Sequence, residues 1–411
     1  MINLELPQKL LTAQQMAHQL AKGAFRPIAR KYDKIEHCPT PEELIPISQM
    51  MRAMGGQAVL GGKKEGGKKD GSKSEAAADS VKNGANLMGI MATTEMAWGC
   101  CGLMLSLPGV GLGNAAIDAV GTPEQKEKFG KLYCAMAITE PGCGSDSAAV
   151  QTTAKLDGDE WVINGEKIFA TAGDRGDAVV VWATLDKSLG KAAIKSFVVE
   201  KGTPGMEVVR CEDKMGLRVS DTAAIRFHDC RIPKSNILGS PEIAADAEAR
   251  KKAFGGVMQT FDNTRPMVAA MALGVARGAL EITRELLEKE GVNADYSKSL
   301  YNSSALEAEI YRMEANLEGA RLLTLKAAWM ADNKQPNSKE ASMCKAKAGR
   351  VGNDITLKCV EICGALGYSE SWLLEKLARD SKIIDIFEGT QQIQQLIVAR
   401  HLLGKSSSEL K

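Results

Sequence analysis

The sequence predicts an α+β protein in three parts: an N-terminal α-helical domain over 1–134, a middle antiparallel β-barrel or sandwich domain over 135–240, and a C-terminal four-helix bundle over 241–411. Three observations carry this reading. Apolar residues recur every three or four positions up to about Lys131. Between about Ala135 and Leu238 the period drops to two, and from Pro241 onward helical spacing returns. A doubly wound nucleotide-binding sheet is excluded, because strands and helices do not alternate and no Gly-x-Gly-x-x-Gly joins a strand to a helix.

In the first part, apolar spacing from Ala13 to about Met54 is broken by Pro27, Pro39, Pro41 and Pro46, which predicts several helices. The run Gly61-Gly62-Lys63-Lys64-Glu65-Gly66-Gly67-Lys68-Lys69-Asp70-Gly71-Ser72-Lys73 has glycines and a lysine at P-loop spacing. Lys69 stands where a metal-binding hydroxyl belongs and no strand precedes it, so a solvated loop is expected. Helix resumes from Ala85 to about Lys131, with Gly121-Thr122-Pro123-Glu124 marking a start. In the middle part, Trp161-Val162-Ile163 and Lys167-Ile168-Phe169 flank Asn164-Gly165, which predicts a hairpin turn there. Further strands are expected at 178–184, 194–200, 206–210 and 223–227. In the last part, amphipathic stretches at 263–290, 303–333, 338–363 and 386–403 predict the four bundle helices.

Composition bounds the function. The 411 residues carry 52 Lys+Arg against 51 Asp+Glu, so nothing draws the chain broadly to nucleic acid or an anionic membrane. Ten cysteines without a Cys-x-x-Cys, and only four histidines, argue against a metal site and for reduced intracellular thiols. The N-terminal Met1-Ile2-Asn3-Leu4-Glu5-Leu6 has no basic region or continuous apolar core, and no uninterrupted apolar run reaches membrane-spanning length. A soluble cytoplasmic protein is the expectation.

Five segments hold residues with chemical potential. In Ile383-Ile384-Asp385-Ile386-Phe387-Glu388-Gly389-Thr390-Gln391-Gln392, Glu388 is an acid among β-branched and aromatic neighbours. It reads either as an exposed acid before a glycine turn or as a desolvated carboxyl with a raised pKa, suited to act as a general base. In Ala137-Ile138-Thr139-Glu140-Pro141-Gly142-Cys143-Gly144-Ser145-Asp146, glycines bracket hydroxyls, which suits either a tight turn or close approach to a flat or phosphorylated ligand. Ser145 lacks the Gly-x-Ser-x-Gly elbow of a hydrolytic nucleophile. Phe169-Ala170-Thr171-Ala172-Gly173 combines one aromatic wall with one hydroxyl. Phe261-Asp262-Asn263-Thr264-Arg265-Pro266 is placed at the opening of the first bundle helix, where an Asp/Arg pair also serves as a cap. Glu361-Ile362-Cys363-Gly364-Ala365-Leu366-Gly367-Tyr368 carries glycines that end a helix.

In this order and at these spacings, the five segments resemble the acyl-CoA dehydrogenase family, closest to its medium- and short-chain branch. The match runs from about Thr93 to Leu403 and includes Lys214-Met215-Gly216-Leu217-Arg218-Val219-Ser220-Asp221-Thr222 and Arg379-Asp380-Ser381-Lys382. The resemblance implies FAD between the β domain and the bundle, an acyl-CoA substrate, an electron-transfer flavoprotein as acceptor, and a homo-oligomer, dimer or tetramer. Ile138, Thr139 and Ser145 resemble flavin-side contacts, and Phe169, Ala170 and Thr171 the segment along the isoalloxazine, with Thr171 near N5. Thr390 and Gln392 resemble residues on the diphosphate and adenosine side of the cofactor, and Glu361, Gly364 and Gly367 a stretch that receives the adenosine half from a neighbouring subunit. Ser145, Asp262 and Arg265 align with contacts to CoA, Phe387 and Gly389 with the walls beside the thioester. Glu388 aligns with the base that takes the α-proton while the β-hydride passes to flavin N5, giving a trans-2-enoyl-CoA. Branches that place the base one residue before the bundle arginine would need an acid where this chain has Thr264.

The chain departs from the family pattern in three places. Glu288-Lys289-Glu290-Gly291-Val292-Asn293-Ala294-Asp295-Tyr296 stands where an Arg-Lys-x-Phe-Gly segment is expected, Glu361 replaces a glutamine, and the 61–73 segment has no counterpart. Leu103, Met104, Leu107 and Pro108 align with the far end of the acyl cavity, where their bulk suits a short- to medium-length chain or plain core packing. Two other functions compete: an acyl-CoA oxidase that uses oxygen, and a silent acyl-CoA-binding protein that has lost FAD.

Overall fold

The computed structural model describes residues 6–53, 84–109, 111–243, 247–406 and 409, with the backbone alone at 51–53, 247–263 and 300. The Lys/Gly-rich segment 61–73 lies outside the described residues. The N-terminal helices are α1 (Gln8–Leu20), α2 (Ala29–Lys34), α3 (Leu44–Ala53), α4 (Ala85–Leu105), α5 (Leu112–Val120) and α6 (Pro123–Phe129). The helix start read at Thr122 is a capping box. Thr122 N–H donates to Gln125 Oε1 at 3.0 Å, and Gln125 N–H returns a bond to Thr122 Oγ1 at 3.3 Å. α4 is apolar on every face and most of its residues are buried, because it runs between the other N-terminal helices and the bundle. Leu103 and Met104 of α4 sit in the largest apolar cluster, which also takes in α7, α9 and α10, described below.

The middle part is one seven-stranded curled sheet: β1 (Cys134–Ala137), β2 (Thr153–Asp157), β3 (Glu160–Thr171), β4 (Ala178–Thr184), β5 (Ile194–Glu200), β6 (Met206–Cys211) and β7 (Thr222–Pro233). Its order is β1-β4-β2-β3-β7-β6, with β5 on β4. Four pairings are antiparallel, while β1 runs parallel to β4, and β2 meets β4 parallel at Thr153 and Thr184, so the sheet is mixed. Alternate residues (Trp161, Ile163, Val179, Val181, Phe197, Val199, Ile225 and Phe227) point into its core.

The Asn164-Gly165 hairpin is not there. β3 runs straight through both residues and the turn lies earlier, at Gly158-Asp159 between paired Asp157 and Glu160. Asn164-Gly165 is instead a bulge against β7, with Gly165 at φ 150°. The Asn164 amide donates to Asp229 Oδ1 at 3.1 Å and its oxygen accepts from Asp229 N–H at 2.8 Å. The same left-handed tolerance of Asn-Gly serves a turn or a bulge, and β3 has partners on both sides that keep it extended.

The bundle consists of α7 (Ala247–Lys289), α8 (Ala305–Asp332), α9 (Ser338–Tyr368) and α10 (Leu374–Ile384), with α11 (Gln391–Leu403) laid on α9. Two expectations change here. The helix expected over 386–403 begins only at Gln391, because residues 385–390 form a turn and Thr390 Oγ1 caps α11 by accepting from Ile393 N–H, and α10 (Leu374–Ile384) is a helix that the apolar spacing did not predict. Residues 261–266 do not open a helix but lie inside α7, which carries Pro266 in its interior. The part of α7 over Thr264–Lys289 is long and apolar enough to cross a membrane, yet 89% of its apolar window is buried by the surrounding helices. The β domain meets the bundle where Gly216 lies against the Arg379 backbone and Leu217 N–H donates to Asp380 Oδ1 at 2.7 Å.

Candidate active site

Two groups of side chains take shape. The first surrounds Glu388 in the turn between α10 and α11. Glu388 has φ 56°, a left-handed conformation that is uncommon for a residue with a long side chain, and Gly389 follows at φ 95°. A Cβ on Gly389 would strike the Gln394 amide, whose N–H groups donate to Glu388 O and Gly389 O at 3.1 and 3.2 Å. The Glu388 carboxylate accepts from Thr264 Oγ1 at 2.9 Å. Arg265, one residue on, is buried, and reaches Ser342 Oγ at 3.5 Å. From α9 comes Lys345, only 1% exposed, whose ammonium donates to Gly389 O at 2.7 Å and Asp385 O at 3.2 Å.

These surroundings set the charge of Glu388. Burial pushes its carboxyl above the usual carboxylate range, and the Thr264 bond with the charges of Arg265 and Lys345 pulls it back without cancelling the rise. Burial likewise lowers the Lys345 ammonium to about 8, against the pull of Asp385 and Glu388. The arrangement is a desolvated carboxylate held near two cations and one hydroxyl, in a turn that fixes its direction. Chemically it suits the removal of a weakly acidic proton.

The second group lies on the β domain. Ile168 N–H donates to Thr139 O at 2.9 Å, which sets the 138–145 loop beside the end of β3. Under this contact, Lys167 (fully buried) donates to Glu140 Oε1 at 2.8 Å and to Ile138 O at 3.1 Å. Glu140 also accepts from Gln151 N–H, Thr152 N–H and Thr152 Oγ1 at 2.7, 2.9 and 2.5 Å. Burial opposes the Glu140 charge, but these bonds and Lys167 win and hold its carboxyl below the ordinary value. Above this base, a second register shift between Lys167 and Ala170 turns Phe169 outward at φ 57°, 58% exposed, beside partly exposed Thr171. Ser145 is exposed, while Ile138 and Thr139 are partly so. A bulky aromatic kept exposed in a strained backbone, two residues from a partly exposed hydroxyl at Thr171, fits a flat ring stacked against it. These residues fit the isoalloxazine that the family resemblance implies.

The remaining expected site residues are spread out. Gly364 breaks α9 at φ 51°, as the glycines predict, and buried Gly367 lets that break pack on the Val360 backbone. Glu361 is largely exposed and is paired with Lys358 at 2.6 Å on its own helix. Phe387 packs on the main core, Gln392 is exposed and Ala170 is buried in the sheet. The Asp262 side chain lies outside the described residues. In the altered 288–292 segment, the Lys289 ammonium sits over the Trp372 ring at 4.7 Å.

Lys345 and the Lys167–Glu140 pair were not read from sequence. Their signal was present: Lys345 shares the apolar face of Ala341, Cys344 and Ala348, and Lys167 falls on the inward register of β3.

The model of the acyl-CoA dehydrogenase middle domain matches residues 135–230, and that of the acyl-CoA dehydrogenase C-terminal domain matches 254–403. The mitochondrial short-chain specific acyl-CoA dehydrogenase of Bos taurus is 34% identical over 410 residues, 98% of this chain and 92% of that protein. Butyryl-CoA dehydrogenase from Megasphaera elsdenii is similar in structure with a TM-score of 0.81 at 31% identity, over 98% of this chain and all 100% of the other. A chain in a structure of the electron transferring flavoprotein of Acidaminococcus fermentans gives 0.78 at 30% identity, over 98% and 100%.

Proposed function

The chain belongs to the acyl-CoA dehydrogenase family, and from that premise we propose that it oxidises a short-chain saturated acyl-CoA to its trans-2-enoyl-CoA, with FAD as cofactor and Glu388 as base. The short-chain assignment is supported by the likeness to the bovine short-chain enzyme and to butyryl-CoA dehydrogenase. The observation that carries the reading is the Glu388 carboxylate, desolvated, bonded to Thr264 and flanked by Arg265 and Lys345.

A thioester α-proton is too weakly acidic for an ordinary carboxylate in water, so the site must raise the base and steady the enolate that forms. Glu388 takes the α-proton, and its backbone N–H donates to the thioester oxygen as negative charge gathers there. Gly389 leaves room beside that oxygen, and Phe387 walls the acyl chain. Arg265 and Ser145 are the proposed CoA contacts, with Asp262. Bound FAD would supply the acceptor for the β-hydride. Phe169 and Thr171 would hold its ring, Ile138, Thr139 and Ser145 its near side, Thr390 and Gln392 its diphosphate side, and Glu361, Gly364 and Gly367 its adenosine half across a subunit boundary. An electron-transfer flavoprotein is the proposed electron acceptor, supported by the likeness to the Acidaminococcus fermentans chain. Exposed Leu366, Tyr368, Leu402 and Leu403 on α9 and α11 support self-association.

The test is Glu388→Gln. It keeps the shape and the Thr264 contact but removes the base. FAD content and acyl-CoA binding should persist while turnover falls by about three orders of magnitude or more. A variant that keeps more than about a tenth of the wild-type rate would remove Glu388 from this role.

A further inference from the structure

We infer that Lys345 is a positioning residue for the base: its ammonium clamps the carbonyls of Asp385 and Gly389, on either side of Glu388, and so holds the left-handed turn that aims the carboxylate. The inference rests on the assignment of Glu388 as base. Three features of the geometry carry it. Lys345 comes from a different helix, α9, and crosses the bundle interior to reach this turn. Its two acceptors are backbone oxygens three residues before and one after Glu388, at 3.2 and 2.7 Å, so the clamp spans the one residue whose direction matters. It is 1% exposed, a position where a lysine costs folding free energy and where an apolar residue would pack as well.

A buried lysine could be only a staple. The charges around it separate the two roles. Facing Glu388 are Thr264 and Arg265 from α7 and Lys345 from α9. Facing Lys345 are Glu388, Arg265 and Asp385, the last also bonded to the Gln391 amide at 2.8 Å and 3.8 Å from Lys382. Lys345 is thus one of two cations whose charge pulls the Glu388 carboxyl back down against the rise from burial. Its removal must do two things: loosen the turn, and move the protonation of Glu388 to higher pH. A lysine whose charge does not reach the carboxyl would do only the first.

The experiment is the pH profile of kcat for the FAD-loaded enzyme with butyryl-CoA, in wild type, Lys345→Met, Lys345→Gln and Lys345→Arg, with Glu388→Gln alongside. Lys345→Met should leave KM within about threefold, lower kcat by about tenfold or more, and move the acid limb of the profile upward. Lys345→Gln keeps one donor for the carbonyls, so it should show the same limb shift with a smaller loss of kcat. Lys345→Arg keeps the charge and should return the limb toward wild type. A second readout needs neither FAD nor turnover. The protonated-carboxyl infrared band that Glu388→Gln removes should titrate at higher pH in the Lys345→Met or Lys345→Gln background than in wild type. An acid limb and a carboxyl band that do not move in either variant overturn the inference. If Glu388→Gln is inactive in that case, only the role of Lys345 falls. If Glu388→Gln is active, the base assignment falls with it.

Discussion

Replacing Lys167 with methionine tests whether the buried pair beneath the candidate flavin wall positions that wall. The substitution keeps the apolar stem but removes the ammonium that serves Glu140 at 2.8 Å and Ile138 O at 3.1 Å. Glu140 is left with three bonds from Gln151 and Thr152, a fourth from the Cys143 thiol at 3.6 Å, and no counter-charge. Stranding a buried charge costs about 3–5 kcal/mol. Glu140 can escape that cost by taking a proton, which from its ordinary value of 4.5 costs about 3.4 kcal/mol at pH 7 and about 0.7 at pH 5, at 1.36 per unit. Protonation therefore caps the penalty, and the cap falls with pH. In wild type the sign is opposite: the Glu140 carboxyl is lowered, so its contribution is complete above 4.5 and is lost only as pH falls through the lowered value. The gap between variant and wild type should thus shrink by about 2.7 kcal/mol from pH 7 to pH 5, roughly a hundredfold in local opening. Hydrogen exchange at Ile168 N–H, which spans from β3 to Thr139 O, reads that opening directly. Adding Glu140→Gln to Lys167→Met should abolish the pH dependence. A deficit equal at both pH values, or none at all, would show that the pair does not hold this loop against the strand.

Two further substitutions test the surfaces around the site. Phe169→Ala removes a side chain that is 58% exposed, so the FAD-free protein should melt within about a degree of wild type. Its FAD dissociation constant should still rise by about tenfold, measured by flavin fluorescence on dilution, and unchanged affinity would mean that Phe169 does not face the ring. Gly216→Ala would drive a methyl group into the Arg379–Asp380 backbone, 2.6 Å from Asp380 N, where the β domain meets the bundle. It should cost about 1–3 kcal/mol and lower the melting temperature. A variant as stable as wild type would show that this contact yields freely.

The three-part division was legible because periodicity reports which face is buried, and each part buries its faces differently. Local chemistry was a poorer guide. Asn164-Gly165 offered left-handed backbone without saying whether a turn or a bulge would use it, and the answer came from β2 and β7 on both sides of β3. The turn at 385–390 was hidden because Ile386 and Phe387 extend the apolar spacing of α11 backward into it. At the site, Glu388 stood out as an acid in apolar surroundings, and its raised pKa has the cause that its neighbours suggest. What pattern alone did not reveal is which charges meet it. Arg265 and Lys345 lie 123 and 43 residues before Glu388, outside any local motif, and only the packing of α7 and α9 brings them to one carboxylate.

If Glu388 removes the α-proton, an acyl-CoA can reduce the bound flavin only while that carboxylate is in place. The most direct measurement is the visible spectrum of the purified protein, mixed anaerobically with saturated acyl-CoAs of graded length, for wild type and Glu388→Gln in parallel. A yellow flavin band is expected in both, with rapid bleaching of wild type by the short acyl-CoAs and no bleaching of Glu388→Gln on that time scale. Bleaching of Glu388→Gln at the wild-type rate, or a wild-type band that no acyl-CoA bleaches, would contradict that role of Glu388.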